Sequence, residues 1–364
     1  MSLREALTVR NHNAILPHRA KVDPIGGNVQ QGVLIEPGVL SWRDVPRPSP
    51  SPGEALLAIK RIGVCGSDFH AFAGRHPAYV YPRVLGHELS GVVLEAPENE
   101  FGIKVGDRCA VDPYVNCGTC DACRVGRTNC CERLQVLGVH RDGGMQDIVA
   151  VPPRLLHSSN KLSLDQLALV ETLGIGAHAV ARAGLRAGEL AIVVGGGPIG
   201  LGAALFAHEA GAQVIVIEKS KDRRVFAERQ GWKTLSPSKE VLGDVVFDAT
   251  GSAAVMADSL NRVSVGGKLV FVGLTSDPVP LNDALFHKRE VTLFASRNSA
   301  GQFPRIIKML EEGKIQIDEW ITERLVLADL PGQFAMLVDR PHLIKAIIDT
   351  DPRAKVRPES PHDR

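Results

Sequence analysis

Residues 191–204, AIVVGGGPIGLGAA, decide the fold of this 364-residue chain. The apolar run Ala191 to Val194 reads as a buried parallel strand, and Gly195 to Gly200 then spells G-x-G-x-x-G with helix-forming residues behind it. Gly195 permits the tight turn, Gly197 lets the backbone approach a pyrophosphate, and Gly200 lets helix and strand pack closely. The helix start offers free N–H groups and a positive dipole end to phosphates, so Gly195, Gly197, Pro198, Ile199 and Gly200 are the expected dinucleotide contacts. A second apolar run, Gln213 to Ile217, ends in Glu218, close to the spacing expected for an acid on the ribose hydroxyls. The rival is a membrane helix, because Leu190 to Ala207 carries no charge; glycines and a proline in its middle argue against it.

The same pattern extends on both sides. IVV, VIVIE, VVFDAT and KLVFVG are short apolar runs separated by helical stretches, the signature of an α/β unit with a doubly wound parallel sheet over about 176–298. Asp248 and Gly251, in FDATGS, mark a strand end and its turn and are expected to be structural. Residues from about Gly32 to Pro152 are instead strand-rich, with many Gly and Pro turns, and the stretch after Ser299 ends in the strand-like LIKAIID.

Two sets of metal-ligand residues lie before the glycine loop. Cys117, Cys120, Cys123 and Cys131 form C-x2-C-x2-C-x7-C in CGTCDACRVGRTNCC, a spacing that suits a closed structural zinc site better than a disulfide framework. Cys130 is the alternative fourth ligand, with Cys131 better on spacing. Upstream, GVCGSDFH supplies Cys65 and LGHELSG supplies His87 and Glu88, all zinc ligand types, and three protein ligands leave a position open for chemistry.

Together these features resemble the zinc-containing medium-chain alcohol and polyol dehydrogenases, whose motifs stand here as GVCGSDFH, GHE and CGTCDACRVGRTNCC. The phrases YPRVLGHE, GRTNCCERLQVLGVHRDGG and FHKREVTLFASRN carry a narrower likeness to bacterial L-galactonate or L-gulonate 5-dehydrogenases. The resemblance implies a GroES-like catalytic domain over 32–175 and 299–351, an inserted Rossmann domain over 176–298, and an active site in the cleft between them. It implies an N-terminal extension over 1–31, a polar tail over 352–364, and a homodimer or homotetramer.

The resemblance also implies roles. Asp68 is placed to accept a hydrogen bond from His87, with a turn or helix cap as its other use. Glu88 and Glu171 compete for the third protein ligand of the catalytic zinc, and the order stays open; Thr172 stands where the polyol branch has a proline. Ser67 and His70 form a proton relay, since a histidine of pKa about 6.5 suits transfer near neutrality. Glu218 favours NAD over NADP by repelling a 2′-phosphate, while Lys219, Arg223 and Arg224 pull the other way; Arg223 matches a position beside the adenine ribose. Arg141, Lys288 and Arg297 are candidate partners for a substrate carboxylate, with the cofactor pyrophosphate the alternative for Arg297.

Composition excludes other classes. A net charge of +1 without a basic run leaves no footprint for nucleic acid. The first residues have scattered charges and no apolar core of a secretory signal, so a cytoplasmic protein with reduced cysteines, no membrane partner and two zinc ions is expected. The expected activity is NAD-dependent oxidation of a secondary hydroxyl of a sugar acid. The rivals are a polyol or secondary-alcohol dehydrogenase and a non-catalytic, zinc-stapled NAD-binding protein; the intact set Cys65, Ser67, His70, His87 and Glu88 argues against the last.

Overall fold

The computed structural model describes residues 27–351, apart from 338, 339 and 341. They fall into two units. One takes in the described residues up to Val125, Cys131–Glu171 and those from Ile307 onward; the other is Gly126–Cys130 with Thr172–Ile306.

In the second unit the apolar runs become six strands, Leu190–Val194, Gln213–Ile217, Lys233–Leu235, Gly243–Asp248, Val263–Phe271 and Thr292–Ala295. Every pairing is parallel, and the spatial order is third, second, first, fourth, fifth, sixth. That is the doubly wound order, with its switch point between Leu190–Val194 and Gly243–Asp248. The uncharged stretch that could pass for a membrane helix is a strand followed by the helix Pro198–Glu209. Among the described residues no helix is long and apolar enough to cross a membrane.

The first unit is built on a seven-stranded sheet. Its path runs Leu156–Ser158, Arg108–Val111, Glu88–Glu95, Ala55–Val64, Lys345–Asp349, Ile321–Val326, and Ile148–Val151 also pairs with Ala55–Val64. The late strand Lys345–Asp349 lies antiparallel beside Ala55–Val64, with Ala346 opposite Val64, while Gly63 faces Glu88 on the other side. Early and late segments of the chain thus build one sheet, in which Glu88, Gly63 and Lys345 lie on three neighbouring central strands. The expected extension over 1–31 is corrected at its inner end. Asn28–Glu36 is a strand paired with Val39–Pro46, held because Val29, Val33 and Leu34 turn into the core. Residues 1–26 and the tail from 352 lie outside the described residues.

Candidate active site and metal centres

Sheet register explains the first site. Cys65 follows directly on the strand Ala55–Val64 and caps the short helix Gly66–Phe72, while His87 precedes the neighbouring strand Glu88–Glu95. The ligand atoms of Cys65, His87 and Glu88 all lie within 4.8 Å of one another, a spread that one ion can bridge. Gly63 makes room for this: a Cβ there would come within 2.1 Å of the Glu88 carboxylate.

The set is buried and rich in groups that carry negative charge. Glu88 and Asp68 are fully enclosed, and Glu171 and His87 nearly so. Burial raises the carboxyl pKa of both Asp68 and Glu171, and Glu88 nearby adds to each shift. Burial disfavours a charged His87, yet the Cys65 sulfur and Asp68 outweigh it and hold its pKa well above the ordinary value. Sulfur, imidazole and carboxylates crowded into a dry site suit a divalent cation. Its residues therefore fit zinc.

Three details depart from sequence expectation. Asp68 Oδ1 is 3.8 Å from His87 Nδ1, too far for a hydrogen bond, and neither atom has a partner. Instead Asp68 Oδ2 accepts the Cys65 N–H at 2.9 Å, so the cap role is the one formed. Glu171 falls outside the tight ligand set and accepts the Tyr114 O–H. Glu88 is held by Lys345, whose Nζ donates to both carboxylate oxygens at 2.7 Å and to Val64 C=O at 3.2 Å. Lys345 and Tyr114 are not in the sequence-based site. A lysine inside the apolar run LIKAIID is the signal for the first; nothing local marks the second.

Ser67 and His70 sit on the same short helix, with His70 exposed. Partial burial of its ring and the nearby Arg75 lower the His70 pKa, so the imidazole is neutral and ready to accept a proton.

The second constellation is a cysteine lobe. The sulfurs of Cys117, Cys120, Cys123 and Cys131 gather within 4.8 Å, with Cys120 to Cys131 at 3.8 Å and Cys117 to Cys123 at 4.0 Å. A tetrahedron with zinc–sulfur bonds of about 2.3 Å has edges of about 3.8 Å, whereas a disulfide is about 2.05 Å. Cys117 Sγ accepts the amide N–H groups of Cys120 and Thr119, and Cys131 Sγ accepts that of Cys117, each at 3.3–3.4 Å. The Thr119 amide and the Arg133 guanidinium pull the Cys117 thiol down to about 4, toward the thiolate that metal binding needs. Cys130 is exposed and outside this set, and Cys109 is buried.

In the second unit the glycine loop has the shape a pyrophosphate needs. Gly195 adopts φ +99°, and a Cβ on Gly200 would lie 1.8 Å from the Gly195 carbonyl. Gly197 caps the helix Pro198–Glu209 in extended backbone, leaving its first N–H groups free for an anion. Glu218 Oε2 accepts the Gly196 N–H and its Oε1 the Ser220 N–H, both at 2.7 Å, so the acid also braces the loop. A Cβ on Gly197 would lie 3.7 Å from Arg223, while Arg224 folds back on the Glu218 and Lys219 carbonyls. Asp248 accepts from Thr250 and Ser259 and is structural. Arg141 is exposed in the first unit; Lys288 and Arg297 are exposed in the second, where Arg297 Nε donates to the Asn129 carbonyl.

Comparison with known proteins places this geometry. Residues 51–161 match the alcohol dehydrogenase GroES-like domain, and residues 198–312 match the zinc-binding dehydrogenase domain. The chain is 40% identical to the L-galactonate-5-dehydrogenase of Escherichia coli K12, an alignment covering 86% of this chain and 96% of that protein. An Escherichia coli CFT073 dehydrogenase complexed with NADH superposes with a TM-score of 0.83 at 27% identity, covering 89% of this chain and all of that one. A Sinorhizobium meliloti 1021 protein bound to NADP, described as a zinc-binding dehydrogenase, superposes with a TM-score of 0.82 at 29% identity, over 89% and 99% of the two chains.

Proposed function

This chain belongs to the zinc-type alcohol dehydrogenase family, and we propose that it oxidises a secondary hydroxyl of a sugar acid such as L-galactonate or L-gulonate with NAD. The convergence of Cys65, His87 and Glu88 beside Ser67 is the observation that carries a catalytic reading. The likeness to L-galactonate-5-dehydrogenase favours a hexonate.

Cys65, His87 and one of Glu88 and Glu171 would hold the catalytic zinc, and the four-cysteine lobe a structural one. When bound, zinc would supply Lewis acidity toward the substrate hydroxyl and NAD a hydride acceptor. Ser67 receives the hydroxyl proton and hands it toward His70, whose exposed, neutral ring releases it to water. Asp68 fixes the Cys65 loop through the amide it accepts. In the second unit the helix start after Gly197 receives the pyrophosphate, with Gly195, Pro198, Ile199 and Gly200 shaping the turn. Glu218 accepts from the ribose hydroxyls with its remaining lone pairs, with Arg223 beside it. Arg141, Lys288 and Arg297 are the proposed cations for the substrate carboxylate, with the cofactor pyrophosphate the alternative for Arg297.

A carboxylate fixed by arginine gains a charge-assisted contact of about 1.5–3 kcal/mol that a neutral CH2OH group lacks. Assaying L-galactonate and L-gulonate beside their alditols tests the proposal. A preference of roughly tenfold to hundredfold in kcat/KM for the hexonates is expected; alditols turned over as well or better would leave only a polyol dehydrogenase.

A further inference from the structure

Tyr79 is a buried phenol next to the metal-ligand set, and its use is unexplained by the relay or the ligands. Its side chain is 6% exposed, and its hydroxyl is enclosed without a hydrogen-bond partner among the described residues. The polar groups around it include Cys65, Ser67 and Asp68, at the start of the helix Gly66–Phe72, and Tyr81. Ser67 stands beside the phenol oxygen but completes no hydrogen bond of good geometry with it. Buried hydroxyls in folded chains are almost always paired, so an enclosed O–H left open at such a place points to something that arrives.

The ring is fixed by packing instead. His76 meets it edge-on, with ring centroids 4.8 Å apart and planes at 80°. His76 is itself locked, because its Nδ1 accepts the Ala78 N–H at 3.3 Å. A phenol, with an ordinary pKa of about 10, keeps its proton near neutral pH, so the group acts as a donor. In the function proposed above Ser67 serves the reacting hydroxyl, so a second donor beside it is left for a neighbouring substrate oxygen.

We propose that Tyr79 is a specificity-determining residue whose O–H donates a hydrogen bond to the hydroxyl adjacent to the one being oxidised, selecting vicinal polyhydroxy substrates over simple secondary alcohols. This rests on the sugar-acid or polyol reading of the site above. A site built to bond a substrate hydroxyl rejects the analogue that lacks it, because its own donor is then left unpaired.

Glycerol and isopropanol differ in the flanking hydroxyls and share the secondary carbinol. Tyr79→Phe removes one oxygen and keeps the ring against His76. In this variant the KM for glycerol should rise about tenfold with kcat little changed, since the bond is made in ground and transition states alike, while isopropanol changes by less than about twofold. An equal effect on both alcohols, or a fall in kcat for both, overturns the proposal and assigns Tyr79 to the relay. A second readout does not need turnover. The chain has three tyrosines, so fluorotyrosine-labelled protein gives three fluorine NMR lines, and Tyr79→Phe identifies the one that matters. That line should move with glycerol or a hexonate and stay still with isopropanol. A line unmoved by any polyol overturns the inference even where the wild type oxidises hexonates, and a line that moves in a protein oxidising no hexonate leaves it standing while the sugar-acid reading fails.

Discussion

Lys345 Nζ donates to both carboxylate oxygens of Glu88 at 2.7 Å, with the two side chains 2% and 0% exposed. Burial alone would lower the lysine's pKa, but Glu88 and Cys65 raise it, so the pair is ionised. Lys345→Met strands a buried carboxylate and should cost about 3–5 kcal/mol of stability. Adding Glu88→Gln should restore part of that loss, because the uncompensated charge is gone. Urea unfolding of wild type, Lys345→Met and the double variant checks this; a double variant less stable than Lys345→Met alone would count against an ion pair.

The cysteine lobe should behave as a folding element. Cys120→Ala removes one corner of a four-sulfur set whose other distances already suit zinc. Loss of about one zinc per chain and a lower thermal midpoint are expected, since structural zinc contributes directly to folding. Metal analysis together with a melting curve decides it; unchanged metal content would remove the lobe as a zinc site.

Gly200→Ala should abolish nucleotide binding. The added methyl would sit 1.8 Å from the Gly195 carbonyl, a clash with backbone that no side-chain rotation relieves. NADH fluorescence titration should show no saturable binding, with a stability loss of about 1–3 kcal/mol from overpacking. Undiminished NADH affinity would mean that the loop does not cradle the cofactor.

His157 gives a pH signature of its own. Burial pushes its pKa down to about 4. Below its unfolded value of about 6.5 the unfolded chain takes up a proton that the folded chain refuses, so stability falls as pH drops from about 6.5 toward 4. The residue is partly exposed, and solvent screening holds this contribution to about 1–2 kcal/mol. Asp112, raised by burial to about 6, works in the opposite sense over much of the same range and masks the effect in the wild type. The difference between wild type and His157→Gln isolates it: the variant should gain relative stability at about pH 5 compared with about pH 7. A pH-independent difference would show that His157 titrates normally.

What was legible in the sequence follows from range. The glycine loop depends on close backbone contacts within a few residues, so Gly195, Gly197 and Gly200 announce it by their spacing. The cysteine lobe is local in the same way, from Cys117 to Cys131. The Lys345–Glu88 pair spans 257 residues and exists only because the late strand lies beside Ala55–Val64, which no local pattern encodes. Tyr114 reaches Glu171 for a similar non-local reason. Asp68 shows a different limit. One side chain could serve a cap or a histidine, and the backbone N–H of Cys65, three residues away, is the partner within reach. The start of the first strand was hidden by its neighbours: Val29, Val33 and Leu34 become buried only once Val39–Pro46 folds against them.

The central claim is that a metal held by Cys65 and His87 carries the oxidation while the cysteine lobe holds the fold. Zinc content and NADH formation from L-galactonate, measured side by side in wild type and Cys65→Ser, test it most directly. The wild type should carry about two zinc ions and reduce NAD, and the variant should keep about one zinc and its wild-type melting behaviour while turnover falls by at least about a thousandfold. A Cys65→Ser protein that still forms NADH at the wild-type rate, or that loses both metals together, would contradict it.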